Sequence, residues 1–188
     1  MKRTLTHFAG LAIILFSGSL AAAQTCHSQL YQHTPTERFV LDDAVAIDKR
    51  TNLVWQRCPL GQVWNKSTSQ CDFNVIAKNW KEAHESAPDG WRVPNLKELA
   101  SISEFSCNNP SLNITVFPHL ENWSFWTSTV VKRLDLSGPT WNSPGGEITN
   151  DLSNRAWNIG TSSGVNLMGY KTDLKAVRFV KDFLPETK

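Results

Sequence analysis

Four cysteines, Cys26, Cys58, Cys71 and Cys107, stand behind an N-terminus built for export, and this combination limits the fold more than any other feature of the chain. Lys2 and Arg3 open the sequence. An apolar stretch follows and ends in the small residues Ala21, Ala22 and Ala23, the pattern of a secretory signal with its cleavage site. That stretch is shorter than the roughly 20 residues needed to cross a bilayer. Residues 1–23 therefore read as a signal peptide, and 24–188 as a single domain of a periplasmic or secreted protein. A lipid on Cys26 is a rival reading, but Gln24 and Thr25 are poor residues before a lipidated cysteine. An even cysteine count in an oxidising compartment implies two disulfides. A zinc site is the alternative, but no C-x-x-C pair is present. Four cysteines allow three pairings, and spacing alone does not choose among them.

Charge narrows the partner. The 19 Lys and Arg face 17 Asp and Glu. Lys2 and Arg3 leave with the signal, so the remaining chain is balanced, without a basic run or stripe. Nucleic acid is excluded on that ground, because phosphate neutralisation needs clustered cations.

The stretch "GWRVPNLKELASI", Gly90 to Ile102, is locally the most explicit. Trp91 and Val93 suit a short strand. Pro94 disfavours a helical Val93. Asn95 with Glu98 three residues later has the spacing of a reciprocal helix cap, and Leu96, Leu99 and Ala100 supply a buried face. Trp91, Pro94, Asn95 and Glu98 thus have structural roles as a corner, and Glu98 needs no catalytic one. Elsewhere, Ala44 to Arg57 reads as a hairpin about the turn "DKRTN". "CPLGQVWNKSTSQC" reads as a loop. Ile76, Trp80, Ala83 and Ala87 fall on one helical face. "SFWTSTVV", "RAWNIG", "GVNLMGY" and "KAVRFVKD" read as strands. Grouped helices among several antiparallel strands make the fold α+β, with two short helices and long loops.

Catalytic signatures are missing. No G-x-S-x-G, H-E-x-x-H or glycine-rich phosphate loop occurs. His27, His33, His84 and His119 are scattered without metal-ligand spacing, and no metal or cofactor is expected. Asp42-Asp43 reads as a strand end or turn. The missing signatures weigh against an enzyme, which stays the least favoured of the readings. Tryptophan is the unusual component, at eight residues. Trp55, Trp80, Trp91, Trp126 and Trp157 lie in expected strands or a helix and read as core. Trp141 sits instead in the polar loop Leu134 to Asn154, beside Asn142 and near Glu147, Asn150 and Asp151. An indole among amides and carboxylates suits a sugar, whose apolar face stacks on the ring. The other use of Trp141 is to pin the loop to the body.

Seven motifs occur in order. They are "TNLVWQRCPLGQVW" with Cys71 after it, "NW" at Asn79-Trp80, "GWRVPNLKELASI", "CNNPSLN" with Phe117-Pro118, "FWTST", "AWNI" and "AVRFV". Together they make the chain resemble the Lcl C-terminal domain family of exported bacterial proteins. The resemblance implies a compact C-type lectin-like fold and a binding or adhesion role, with a glycan or an envelope or surface protein as partner. An adhesin of the family is linked to sulfated glycosaminoglycans, for which the balanced charge here offers no cationic stripe. The calcium–sugar motifs E-P-N, Q-P-D and W-N-D are absent, "WNS" at Trp141 coming closest. Within the family's W-Q-R-C block the resemblance pairs Cys58 with Cys71, which leaves Cys26 to Cys107. The alternative role is that of a structural or assembly subunit of an envelope complex.

Overall fold

Eleven strands and two helices are visible in the computed structural model, which describes residues 24–118, 122–131 and 152–184. In chain order the strands are β1 (Thr25–Cys26), β2 (Phe39–Asp42), β3 (Val45–Asp48), β4 (Leu53–Gln56), β5 (Val63–Asn65) and β6 (Gln70–Asp72). Helices α1 (Trp80–Glu85) and α2 (Leu96–Ser101) follow. Then come β7 (Cys107–Asn108), β8 (Ser124–Val130), β9 (Arg155–Gly160), β10 (Val165–Tyr170) and β11 (Val180–Asp182). The named strands pair antiparallel, and the fold is α+β as expected.

The first sheet runs in the order β11-β4-β3-β2. Its central hairpin is the expected one, with Ala46 opposite Trp55 and Asp48 opposite Leu53. Asp48 shapes the turn: its carboxylate accepts from Arg50 N–H and the Thr51 hydroxyl, and Asn52 takes a positive φ of 55° that asparagine tolerates. The same carboxylate pairs with Arg38, which also donates to the Ser101 carbonyl at 2.9 Å, so a buried ion pair ties β2, β3 and the end of α2. The second sheet runs β10-β9-β8. Small ribbons, β1 with β7 and β5 with β6, complete the set.

Residues 175–180 join the sheets. Ala176 makes a parallel bridge to Phe125 of β8, and Val180 pairs with Trp55 of β4. From Ala176 to Val180 the segment is buried, and it alternates between two cores, as an extended chain must. Ala176 and Val180 enter a cluster with Trp55, Leu99, Ile102, Phe117, Phe125 and Ile159. Val177 and Phe179 enter the other, with Ala83, Val93, Trp126 and Ala156. Arg178, between them in the alternation, is directed towards the first.

The disulfides Cys58–Cys71 and Cys26–Cys107 are both present. The second pins the N-terminal arm, as β1, beside β7. Four local expectations are corrected. Helix α1 starts at Trp80, and Ile76 lies outside it, half-exposed; Asn79 caps the helix in a reciprocal box with Glu82 and so stops it from extending back. The region between Cys58 and Cys71 is not loop throughout, since Trp64 pairs with Cys71 in the β5–β6 ribbon. "KAVRFVKD" becomes strand only at Val180, because the residues before it bridge between sheets. Trp55 and Trp126 are wholly buried, but Trp80, Trp91 and Trp157 are only partly so.

Candidate functional site

The expected contact residues Trp141, Asn142, Glu147, Asn150 and Asp151 lie outside the described residues. Both ends of the segment that carries them are described. Val130 pairs with Ala156, and Val131 N–H donates to the Arg155 carbonyl at 3.1 Å. A short 3₁₀ turn, Leu152–Asn154, leads into β9. There Lys171 donates twice: its ammonium to the Ser153 carbonyl and its N–H to the Asn154 carbonyl, both at 2.8 Å. The segment therefore leaves and re-enters the fold at one place, the Arg155–Tyr170 end of the β9–β10 ribbon.

That end presents an unusual surface. Cross-strand register places Arg155 opposite Tyr170 and Trp157 opposite Met168, on the same face. The Arg155 guanidinium lies 4.1 Å from the centre of the Tyr170 ring and donates to its hydroxyl at 2.8 Å. A cation held flat on an aromatic ring is weakly hydrated and pre-ordered. Met168 is 50% and Tyr170 49% exposed, and Trp157 is half-buried. β10 is the edge of its sheet, with Val165 and Leu167 also exposed. Stacking surface, a soft thioether and the Arg155 guanidinium thus meet beside Val131 and Leu152, the described residues that flank the segment carrying Trp141. Sequence reasoning missed Arg155, Met168 and Tyr170. The signal was present: pairing the expected strands "RAWNIG" and "GVNLMGY" about the turn at Thr161–Gly164 sets Arg155 against Tyr170.

The conspicuous carboxylates elsewhere are committed to structure. Asn95 accepts from Glu98 N–H at 3.0 Å, and Glu98 accepts from Asn95 N–H at 2.7 Å, the reciprocal cap. Both Glu98 oxygens also hold Arg92, which reaches on to Asp182, and these bonds raise the Arg92 pKa further above its ordinary value. Pro94 is buried, and its carbonyl accepts from Ser128 N–H at 2.8 Å. Trp91, partly buried, has the Lys181 ammonium over its ring at 4.8 Å.

Glu104 is 1% exposed and accepts from Thr34 and Ser106, through backbone and hydroxyl of each, and from His33 N–H. Burial pushes its pKa up, but the bonds from Ser106 and Thr34 together outweigh burial and hold it below its ordinary value. Asp48 is governed the same way: burial raises it, and Arg38, Thr51 and Arg50 more than compensate. Asp43, at the β2–β3 turn, accepts from the Trp64 indole N–H, while Arg57 stacks on that ring at 3.6 Å. Burial lowers the Arg57 pKa, against the opposing charge of Asp43.

Among the described residues no group of three or more His, Cys, Asp or Glu is placed to hold a metal ion. None of the described helices is long and apolar enough to cross a membrane. The chain matches no curated protein and no solved structure. The model of the Lcl C-terminal domain matches residues 44–181, from the start of β3 into β11, leaving the Cys26 arm outside the match. With most of its 188 residues so matched, the chain belongs to the Lcl C-terminal domain family.

Proposed function

We propose that this domain is an exported, non-catalytic binding module of C-type lectin-like type, recognising a glycan on a cell or envelope surface. The Arg155–Tyr170 stack beside Met168 and Trp157 carries the reading. Sugar recognition needs a flat apolar surface for the ring face and fixed donors for the hydroxyls, and the ribbon end offers both. Trp141, with Asn142, Glu147, Asn150 and Asp151 as further polar contacts, belongs to the same reading from the sequence, in the segment between Val131 and Leu152. Long loops on a rigid scaffold are where binding groups concentrate. The saturated states of Glu98, Glu104 and Asp48 support a role in folding for these acids rather than in chemistry. The two disulfides suit an oxidising compartment outside the cytoplasm.

The exposed Val165 and Leu167 on β10 favour a second reading, in which this strand docks another exported protein as an assembly subunit. A glycan array and an envelope pull-down, each run with and without calcium, separate the two. Free sugar displaces the ligand only in the first case. Wild type should bind a defined glycan class, and Tyr170→Ala should lose it. Binding that is untouched by Tyr170→Ala and by Trp141→Ala rejects this surface.

A further inference from the structure

Arg178 is the most isolated charge in the described structure. It is 1% exposed and is directed towards the larger apolar cluster. One guanidinium nitrogen, Nη1, donates to the backbone carbonyls of Gln56 and Arg57. The other, Nη2, is buried and makes no hydrogen bond among the described residues. The rings of Phe117 and Phe125 lie 4.9 and 5.5 Å from the guanidinium carbon. Among the described residues no carboxylate pairs with it or acts on it across space. Glu104, the other buried charge near this core, has both oxygens committed to Thr34, His33 and Ser106. A buried charge without a partner is costly. Burial lowers the Arg178 pKa to about 9, which still leaves it cationic at neutral pH.

Arg178 also forms one wall of an interior cavity of about 10 Å³, shared with Ser103, Ser111, Leu112, Ile159 and Thr161. That is room for one small monatomic or water-like guest and no more. The lining brings apolar carbon, hydroxyl-bearing residues and the one cation. Among the cavity's lining residues there is no acid. A polyatomic oxyanion does not fit this space. A water molecule would satisfy hydrogen bonds but leave the charge uncompensated. We infer that the cavity beside Arg178 is an internal site for a single halide-sized anion, which neutralises the guanidinium and locks residues 175–180 between the two sheets. The observation behind it is independent of the ribbon surface.

Thermal melting of the disulfide-bonded protein at fixed ionic strength provides the test, with sodium gluconate exchanged stepwise for chloride or bromide. Wild type should show a rise that grows with the logarithm of halide concentration and reaches about 3–5 °C at ten times the dissociation constant. Arg178→Met should remove that rise. If Arg178→Met does not fold, Ser103→Leu, which fills the cavity and keeps the cation, should abolish the halide response instead. Crystals soaked in bromide should show an anomalous peak within hydrogen-bonding distance of Nη2. Equal melting in gluconate and halide, a halide response that survives Ser103→Leu, or no bromide peak at Arg178 overturns the assignment.

Discussion

Arg92 and Arg155 both donate to side-chain acceptors, in regions built for opposite purposes. In the corner from Trp91 to Ile102, Arg92 is held by Glu98 and Asp182, Glu98 is shared with the cap of α2, and Pro94 binds Ser128 of β8 through its carbonyl. The polar groups there are bonded to one another or to β8 and Asp182, and little capacity is left for a ligand. On the β9–β10 ribbon, Arg155 meets Tyr170 and, among the described residues, no acid; the pair faces outward. The same residue types read as scaffold or as surface according to how many of their hydrogen-bonding sites the fold consumes.

The sharpest way to break this comparison is at the tryptophan under the corner. Trp126 is wholly buried in the second core and donates its indole N–H to the Lys78 carbonyl at 2.9 Å. Trp126→Ala should cost about 3–5 kcal/mol in chemical denaturation, as large cavities in cores do. Trp91 packs on the same core but is only partly buried, so Trp91→Ala should cost about half as much. Equal losses would mean that the corner is as deep as the core it braces.

Acid separates the regions next. Glu104 has a folded pKa below its ordinary 4.5 and Asp48 one below its ordinary 3.8. A depressed carboxylate contributes stability that is present above its unfolded value and is lost as pH falls through the folded one. Stability should therefore be level from pH 7 to about 5 in respect of these two groups, and fall below about 4.5. Glu104→Gln should lose about 2–3 kcal/mol at neutral pH, since Thr34 and Ser106 keep buried donors with a poorer acceptor. It should also flatten part of the acid limb in a pH series of denaturant titrations. An unchanged limb would assign the acid sensitivity elsewhere.

Asn95→Ala comes third, at about 1 kcal/mol for the lost cap, measured as a shift in denaturation midpoint. This feature was legible in the sequence because its partners stand three residues apart. The same signal stood at Asn79 and Glu82, but the apolar spacing from Ile76 to Ala87 masked it and lengthened the expected helix. Strand positions were legible where hydrophobic residues cluster, as in "LVWQ" and "SFWTSTV". They were hidden in the β5–β6 ribbon, where polar residues are as frequent as apolar ones and none is buried. What a strand residue faces was not legible: Trp157 and Trp126 both lie in strands, yet neighbouring layers cover only the second completely. Glu104 drew no attention, because its donors at Thr34 lie 70 residues away. Arg178 looks like the polar position of an alternating strand, and only the layering of two cores around residues 175–180 shows that both faces are interior. Of the segment that carries the expected contact residues, only the flanking Val131 and Leu152 are described, and Trp141 itself lies outside the described residues.

The smallest change in stability belongs to the ribbon, where it carries the most weight for function. An exposed cation–π pair contributes about 0.5–1 kcal/mol, and a cross-strand pair a similar amount. Tyr170→Ala should therefore lower stability by no more than about 1 kcal/mol. Its effect on ligand affinity should be tenfold or more, about 1.4 kcal/mol, because aromatic anchors dominate recognition. Trp141→Ala should behave alike, weakening binding with little change in melting temperature. The two belong in one double-mutant cycle, measured against the glycan that the array selects. Residues that grip one ligand from the ribbon and from the loop should be non-additive, with a coupling of at least about 0.5 kcal/mol. Strict additivity would place Trp141 and Tyr170 at separate surfaces. A Tyr170→Ala variant that melts like Trp126→Ala would show the ribbon to be scaffold after all, and the contrast with the corner would disappear.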